Sequence, residues 1–406
     1  MNGKKTLRNS ISQLTMTVKT HKANSEVVAR AVHATSGSPL KPLARYISYC
    51  LRQAILAIPH LLANSTDLVQ KIKQVRLSRN CRIMKIDIKD YFMSGKQVDL
   101  ADSSAKHVLE KRKIAFREAL RFVLENQFVQ ISDEDLEAYL VVIGSGMGVE
   151  CSGDTSDVSF YELAEKPFVL QPEFQRKYHV EFYARFRDDI IVILGGDSQN
   201  RVEFAQVFKT YSKYFKLKIE SISMTSAVML DLTLYKGKRF AASQVLDVAM
   251  FSKATAQGVP LCHSSWHQPS IHMSWPLSRC LHYHRCTTSR DSYVHAVFML
   301  ISKIAVSSPG HPSLAALSSM LLYGTLVRQG NGKQPSLSGT NKCSRIILPF
   351  HPGLTGLNQK LREAVHADFH QHQWHDLVPV VTWKLGAPSI ARRVIKDMRI
   401  KFSSGR

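Results

Sequence analysis

The chain has 406 residues, 44% of them hydrophobic, enough to fill a substantial core and to form two or three domains. Lys and Arg number 54 against 32 Asp and Glu, a formal charge of +22 that points to a polyanionic partner. Seven scattered cysteines argue against a dense secreted disulfide scaffold; with no signal-peptide pattern at the N-terminus and Lys303 breaking the longest apolar stretch, the expectation is an intracellular protein, nuclear or cytoplasmic, with no membrane span.

In chain order, "SISQLTMTVKTHK" reads as loop and strand and leads into a basic linker with Gly37 and Pro39. From Pro42 to Ile58 apolar residues recur at three and four, which predicts a helix with one buried stripe. "RIMKIDIKDYF" alternates Met84, Ile86 and Ile88 with Lys85 and Asp87, a strand with one dry and one polar face. A long amphipathic helix is predicted over 103–127, and a strand, Gly-rich turn and helix over 139–166. "VEFYARFRDDIIVILGG" reads as a β-hairpin turning near Arg187, Asp188 and Asp189. A helix over 200–219 and two short strands, "AVMLDLTLYKG" and "QVLDVAMFSK", follow, then an apolar helix near 293–306 and a turn-rich linker, "RQGNGKQPSLSGTNKC". Strands and helices mix without regular alternation, which predicts an α+β fold with a mostly antiparallel sheet. Charge is uneven along this order: residues 1–80 carry +11, residues 333–406 carry +8 and the middle only +3, so basic walls would surround a balanced centre.

Asp188 and Asp189 stand at the mouth of the apolar run Ile190 to Leu194, where an unpaired buried carboxylate costs several kcal/mol. Arg185 and Arg187 could answer them as solvated surface pairs; bound divalent metal is the sharper reading. A hairpin lying antiparallel beside the 83–89 strand would bring Asp87 to the same point. Three carboxylates there would persist when a divalent cation answers them, and a pair of Mg²⁺ ions roughly 4 Å apart serves phosphoryl transfer.

On these residues the chain resembles the reverse transcriptases, most closely those of Penelope-like retroelements. The resemblance covers nearly the whole sequence, and its motifs come in the family's order: "TVKTHK" with Arg30, "KIDIKDYF", "GSGMGVECSGD", "FRDD", "MLDLTLYKGKRF" and "FSKATAQGVPLCHSSWHQP". It implies an α+β right-hand polymerase with fingers (1–82), an antiparallel-sheet palm with inserted fingers helices (83–252), a mostly helical thumb (253–330) and a basic C-terminal extension (331–406). The implied catalytic residues are Asp87, Asp188 and Asp189, with Asp87 and Asp188 holding two Mg²⁺ ions, Mn²⁺ being able to replace them. Arg30 and Lys22 would meet the incoming triphosphate, Phe92 would act as the steric gate against a 2′-hydroxyl, and Met147 and Gly148 would line the nucleotide site. Gly144, Ser152, Phe186, Asp231, Lys253 and His267 would support template and primer. The implied partners are an RNA template, a DNA primer or target DNA, and dNTPs. Glu150 and Gly153 stand where the family carries prolines.

A second reading is a polymerase-shaped nucleic-acid-binding protein without catalysis; a third, an intron-type or telomere-type relative, would share the palm and differ in partner RNA. "SRCLHYHRC" would set Cys280, His282, His284 and Cys286 on one strand face, too spread for tetrahedral zinc and better suited to a thumb surface facing nucleic acid. His366 and His370 have helical spacing and read as a solvated face, and Trp266 and Trp275 as core aromatics.

Overall fold

A computed structural model describes residues 11–18, 29–35, 38–131, 137–212, 214–252, 261–262 and 264–311, a few positions from 313 to 317, and two short strands beyond. Strands β1 (Ser12–Val18) and β2 (Ala29–Ala34) pair antiparallel, so the segment read as a basic linker is partly a strand. Helix α1 (Lys41–Ala57) begins at Lys41-Pro42 and buries Ala44, Ile47, Leu51 and Ala54, the face its periodicity predicts. Helix α2 (Ser65–Ile72), whose Asn64 cap accepts from the Asp67 N–H at 3.0 Å, precedes β3 (Arg82–Lys89).

The helix predicted over 103–127 is two, α3 (Gln97–Ala105) and α4 (Glu110–Glu125). Between them Lys106 and His107 turn to Glu162, at 3.2 and 3.1 Å, so a tertiary ion cluster overrides the continuous amphipathic pattern. Then come β4 (Phe128–Gln130), β5 (Tyr139–Leu140) and α5 (Ser152–Phe160), which runs on into a π-helical stretch, Tyr161–Val169, around Pro167. After α6 (Pro172–Lys177), β6 (Val180–Phe186) and β7 (Asp189–Leu194) form the predicted hairpin. Helix α7 (Ser198–Tyr211) stops short of the predicted Ile219, because Lys216 onward alternates polar and apolar residues and pairs with β3 as β8 (Lys216–Ser223). The strand read through 227–237 is a hairpin, β9 (Ser226–Met229) and β10 (Leu232–Tyr235), with Leu230 at φ +58 in its turn. Helix α8 (Lys238–Ser243), β11 (Asp247–Met250), α9 (Pro269–Cys286), α10 (Arg290–Ser307), β12 (Arg345–Pro349) and β13 (Val380–Lys384) complete the order.

The fold is α+β. Its central sheet has the order β6-β7-β3-β8 and is antiparallel throughout; an N-terminal sheet has the order β2-β1-β4-β5, and a third the order β11-β10-β9. The chain divides into two compact units, residues 1–257 with 283–296, and 258–282 with 297–406. In the first, β7 is buried on both faces, which explains its unbroken apolar run. Met84, Ile86, Ile88, Ile190, Val192 and Leu194 meet α1, α3, α4, α5 and α7 on one side, whereas Ile83, Ile191 and Ile193 pack with Leu68, Val69, Met229, Leu232 and Val248 on the other. Lys85 and Asp87 share that second face beyond the reach of Ile83, which gives β3 its predicted dry and polar sides.

Arg185 is not the solvated partner of the aspartates that its sequence position suggested. It is wholly buried, and its guanidinium joins Asp157 on α5 at 2.7 Å and Glu165 in the π-helical stretch at 2.8 and 3.0 Å. It also donates to the Tyr91 hydroxyl at 2.9 Å and to the Arg187 carbonyl at 3.1 Å, while Tyr183 donates to Glu165 at 2.7 Å. Its backbone is held as well, by His60 O at 3.0 Å and Leu62 N at 2.7 Å. Burial opposes the charge on Glu165, but Arg185 and His60 outweigh it and hold the carboxyl well below its ordinary range. Arg187 pairs with Asp157 and with Asp154, and Gly153 makes the room: a Cβ there would stand 2.7 Å from the Arg187 Nη1.

Replacing Arg185 with Met should leave two buried carboxylates short of a partner and cost about 3–5 kcal/mol of stability, read from the urea midpoint. The depressed Glu165 adds stability above the ordinary glutamate pKa that is lost as pH falls through its folded value. The Arg185→Met deficit should therefore shrink in acid; a deficit below about 1 kcal/mol at pH 7 would show the pairing to be idle.

Candidate active site

The register of the central sheet sets Asp87 directly opposite Asp189, with Asp188 in the turn between β6 and β7. Arg187 opens that turn at φ +53, and the Asp188 carbonyl accepts the Ile88 N–H at 2.9 Å, so Asp188 is tied to the residue after Asp87. All three aspartates are half-buried at one end of the sheet.

Two residues that sequence reasoning passed over share the site. Lys85, two residues before Asp87 on the same face, places its Nζ 3.2 Å from Asp189 and 3.7 Å from Glu220. Glu220 is the extra residue of a β-bulge: Ile86 pairs with Ile219 and Lys85 with Ser221, so β8 kinks there. Its signal in the sequence was the alternation of Leu217 and Ile219 with Lys218 and Glu220. Burial first, then the charges of Glu220 and Asp189, push the Asp87 carboxyl up, against the pull of Lys85 and Lys218.

The three aspartates are thus not equivalent. Lys85 answers Asp189, which the sequence reading did not place among the metal ligands. Among the described residues no group of three or more His, Cys, Asp or Glu is arranged to hold an ion. Asp87 and Asp188 still fit one: they supply the hard oxygen donors that Mg²⁺ takes, and ionised Asp87 sits in a field that a cation would relieve.

The Gly-rich loop meets the site from the side. Beyond β3, Asp90 turns at φ +49 into a short 3₁₀ turn, Tyr91–Met93, and the Phe92 carbonyl accepts the N–H groups of Ser145 at 2.8 Å and Gly146 at 3.0 Å. A Cβ on Gly144, at φ +76, would lie 2.5 Å from that carbonyl and from Met93 Cα, so only glycine allows this approach. On its other side the loop docks on β2: Met147 O accepts the His33 N–H at 2.7 Å, and Gly148 O accepts the Thr35 hydroxyl at 2.8 Å. Phe92, Gly144, Met147 and Gly148 therefore form one continuous wall with β2, on which Arg30 stands opposite Thr17.

The other predicted residues are placed elsewhere. Ser152 is 4% exposed beneath the loop, and its carbonyl accepts from Ser145 Oγ at 3.2 Å. Phe186 packs into the second core cluster, and Asp231 accepts from the Ser65 hydroxyl at the start of α2. His267 belongs to the second unit, where its Nδ1 lies 3.0 Å from Ser265 Oγ. Lys22 and Lys253 lie outside the described residues, as do His366 and His370.

Cys280, His282, His284 and Cys286 lie on helix α9 rather than on a strand. Residues two apart on a helix point roughly 200° away from each other, so the four divide into two i,i+4 pairs, Cys280 with His284 and His282 with Cys286, on opposite sides. Cys280 and Cys286 are buried. Trp266 is 65% exposed, not a core aromatic. The described cysteines are free thiols, and no described helix is long and apolar enough to cross a membrane.

No protein-family model matches the chain, and no curated protein matches it. Solved structures do resemble it. It is similar to apo telomerase from Candida tropicalis at a TM-score of 0.44 and 12% identity, over 77% of this chain and 60% of that one. It is similar to the RNA-dependent RNA polymerase of a human picobirnavirus at 0.43 and 10%, over 79% of this chain and 64% of that one. It is also similar to the BmCPV RNA-dependent RNA polymerase at 0.41 and 11%, over 58% of this chain and 22% of that one. The chain therefore spans less than two thirds of the length of each of them.

Proposed function

We propose that the chain is a template-directed nucleotidyltransferase, an RNA-directed DNA polymerase of a retroelement, adding dNTPs to a primer 3′-hydroxyl. One observation carries the reading: the β3/β7 register sets Asp87 opposite Asp189 with Asp188 in the adjoining turn, where burial, then the charges of Glu220 and Asp189, raise the Asp87 carboxyl. Asp87 and Asp188 would hold the divalent metal. Bound Mg²⁺ would lower the pKa of the primer hydroxyl and offset charge on the triphosphate. Lys85, 3.2 Å from Asp189, would hold that carboxylate in place beside the pair, and the proton of the 3′-hydroxyl would pass to solvent. Arg30 would offset charge on the departing pyrophosphate, and Phe92 would press on the sugar and exclude a 2′-hydroxyl. The partners under this reading are an RNA template, a DNA primer and dNTPs, recognised by a chain of charge +22.

A polymerase-shaped binder without catalysis is the second reading; with a charge of +22 it would bind nucleic acid with a salt dependence but incorporate nothing. Primer extension on poly(rA)/oligo(dT) with dTTP and Mg²⁺ separates the two. Wild type should incorporate, and Asp188→Asn should lose orders of magnitude in rate while binding the duplex with the same salt dependence. No incorporation by either protein, with binding intact, would establish the silent binder. In the same assay Phe92→Ala should raise the use of UTP relative to dTTP at least tenfold; an unchanged ratio would remove Phe92 from sugar selection.

The raised Asp87 pKa gives a test that needs no turnover. A carboxyl raised in the fold contributes stability at low pH and loses it as pH climbs through the folded value. Asp87→Asn should therefore melt higher than wild type at pH 7 without divalent ions, and the gap should close as pH falls below about 4. Mg²⁺ should raise the melting temperature of wild type and leave Asp87→Asn unmoved.

A further inference from the structure

Helix α1 has a face that the core does not use. Ala44, Ile47, Leu51 and Ala54 are buried in the same cluster as Met84, Ile86 and Ile88 of the central sheet. The opposite stripe recurs at three and four residues and carries Arg45, Tyr46, Tyr49, Arg52, Gln53 and Leu56, all exposed. Asp87 points from the other face of β3, so this stripe and the aspartates lie on opposite sides of the sheet.

The stripe is unlike an ordinary solvated face. Tyr49 is 69% exposed, Leu56 73% and Tyr46 43%. A single exposed apolar residue is normal, but these three share one stripe about 16 Å long at 1.5 Å per residue. The charge beside them is of one sign, because α1 contains no acidic residue. Arg52 has no ion-pair partner among the described residues. Neither has Arg112 at the start of α4, a helix packed beside α1; its charge lies within electrostatic reach of the Tyr46 hydroxyl. The carboxylate that meets the stripe is Glu150, 3.3 Å from Arg45, with both side chains open to water. Solvent screens such a pair, and a phosphate can displace it.

These features select among partners. A second copy of the chain would bring Arg52 and Arg112 toward like charges. A nucleic-acid duplex would answer the arginines but hides the faces of its bases. A single strand answers both demands, with phosphates for the guanidinium groups and open base faces for two tyrosine rings one helical turn apart. We infer that the outer face of α1, with Arg112 of α4, binds a single strand of nucleic acid. Its bases stack on Tyr46 and Tyr49, and its phosphates meet Arg45, Arg52 and Arg112. The inference concerns binding alone and stands whether or not the aspartates catalyse.

Photocrosslinking with the full chain tests it. A 12-nucleotide single-stranded RNA with one internal 5-iodouridine is irradiated in the complex, and the adducts are mapped by mass spectrometry, which reads this face apart from every other basic surface. Adducts are expected on Tyr46 or Tyr49, at a yield that falls at least fivefold with Arg52→Glu and is largely kept by Arg52→Lys. Both variants change an exposed position and should melt with wild type. A blunt RNA duplex carrying the same base should leave only background. Asp188→Asn should give the wild-type yield, so failure of the polymerase reading and failure of this one are read separately. Adducts confined to other peptides, a yield indifferent to Arg52→Glu, or equal adducts with the duplex would overturn the inference. So would a concentration-dependent dimer that Tyr49→Ala dissolves, which would assign the face to a second copy.

Discussion

Arg185 is the constraint on which the aspartate end of the central sheet depends. A guanidinium with no exposed surface must have all its donors answered, and the groups that answer it come from α5, the π-helical stretch, the turn after β3 and the β6–β7 turn itself. Few other geometries satisfy those partners together. The pairing therefore fixes where α5 crosses the sheet and, through the Arg187 carbonyl, where Asp188 sits. The π-helical stretch fits this account: the wider turn around Pro167 belongs to the segment that delivers Glu165 to the guanidinium.

Above that buried layer the charges are divided with a purpose that a residue list would hide. Lys85 neutralises Asp189 and reaches toward Glu220, while Asp87 is left with raised proton affinity. An interior cation thus takes one carboxylate out of contention. What remains is a pair, Asp87 and Asp188, the second tied through its carbonyl to the N–H of Ile88, the residue after Asp87, so their placement follows the sheet.

Much of this was legible in the sequence where a single period governed a segment. The α1 stripe, the dry and polar faces of β3 and the hairpin around Asp188 all follow from local pattern, and so does the α+β class. The misread segments are those where tertiary contacts decide. The break after α3 depends on Glu162, more than fifty residues away in the chain. The start of β8 was absorbed into α7 because Leu217 and Ile219 also suit a helix face, and with it went Glu220, whose position depends on a bulge that only pairing creates. Arg185 looked like a surface residue because its partners, Asp157 and Glu165, lie in a segment that nothing local connects to it.

The loop of Gly144 to Gly148 holds a last consequence. It bonds to Phe92 on one side and to β2 on the other mainly through backbone atoms, with the Ser145 hydroxyl adding a bond of 3.3 Å to the Phe92 carbonyl. The join between the N-terminal hairpin and the edge of the aspartate site is therefore written mostly in backbone conformation. Lineages could vary Met147 without loosening it, whereas buried Ser145 and the glycines with positive φ could not drift.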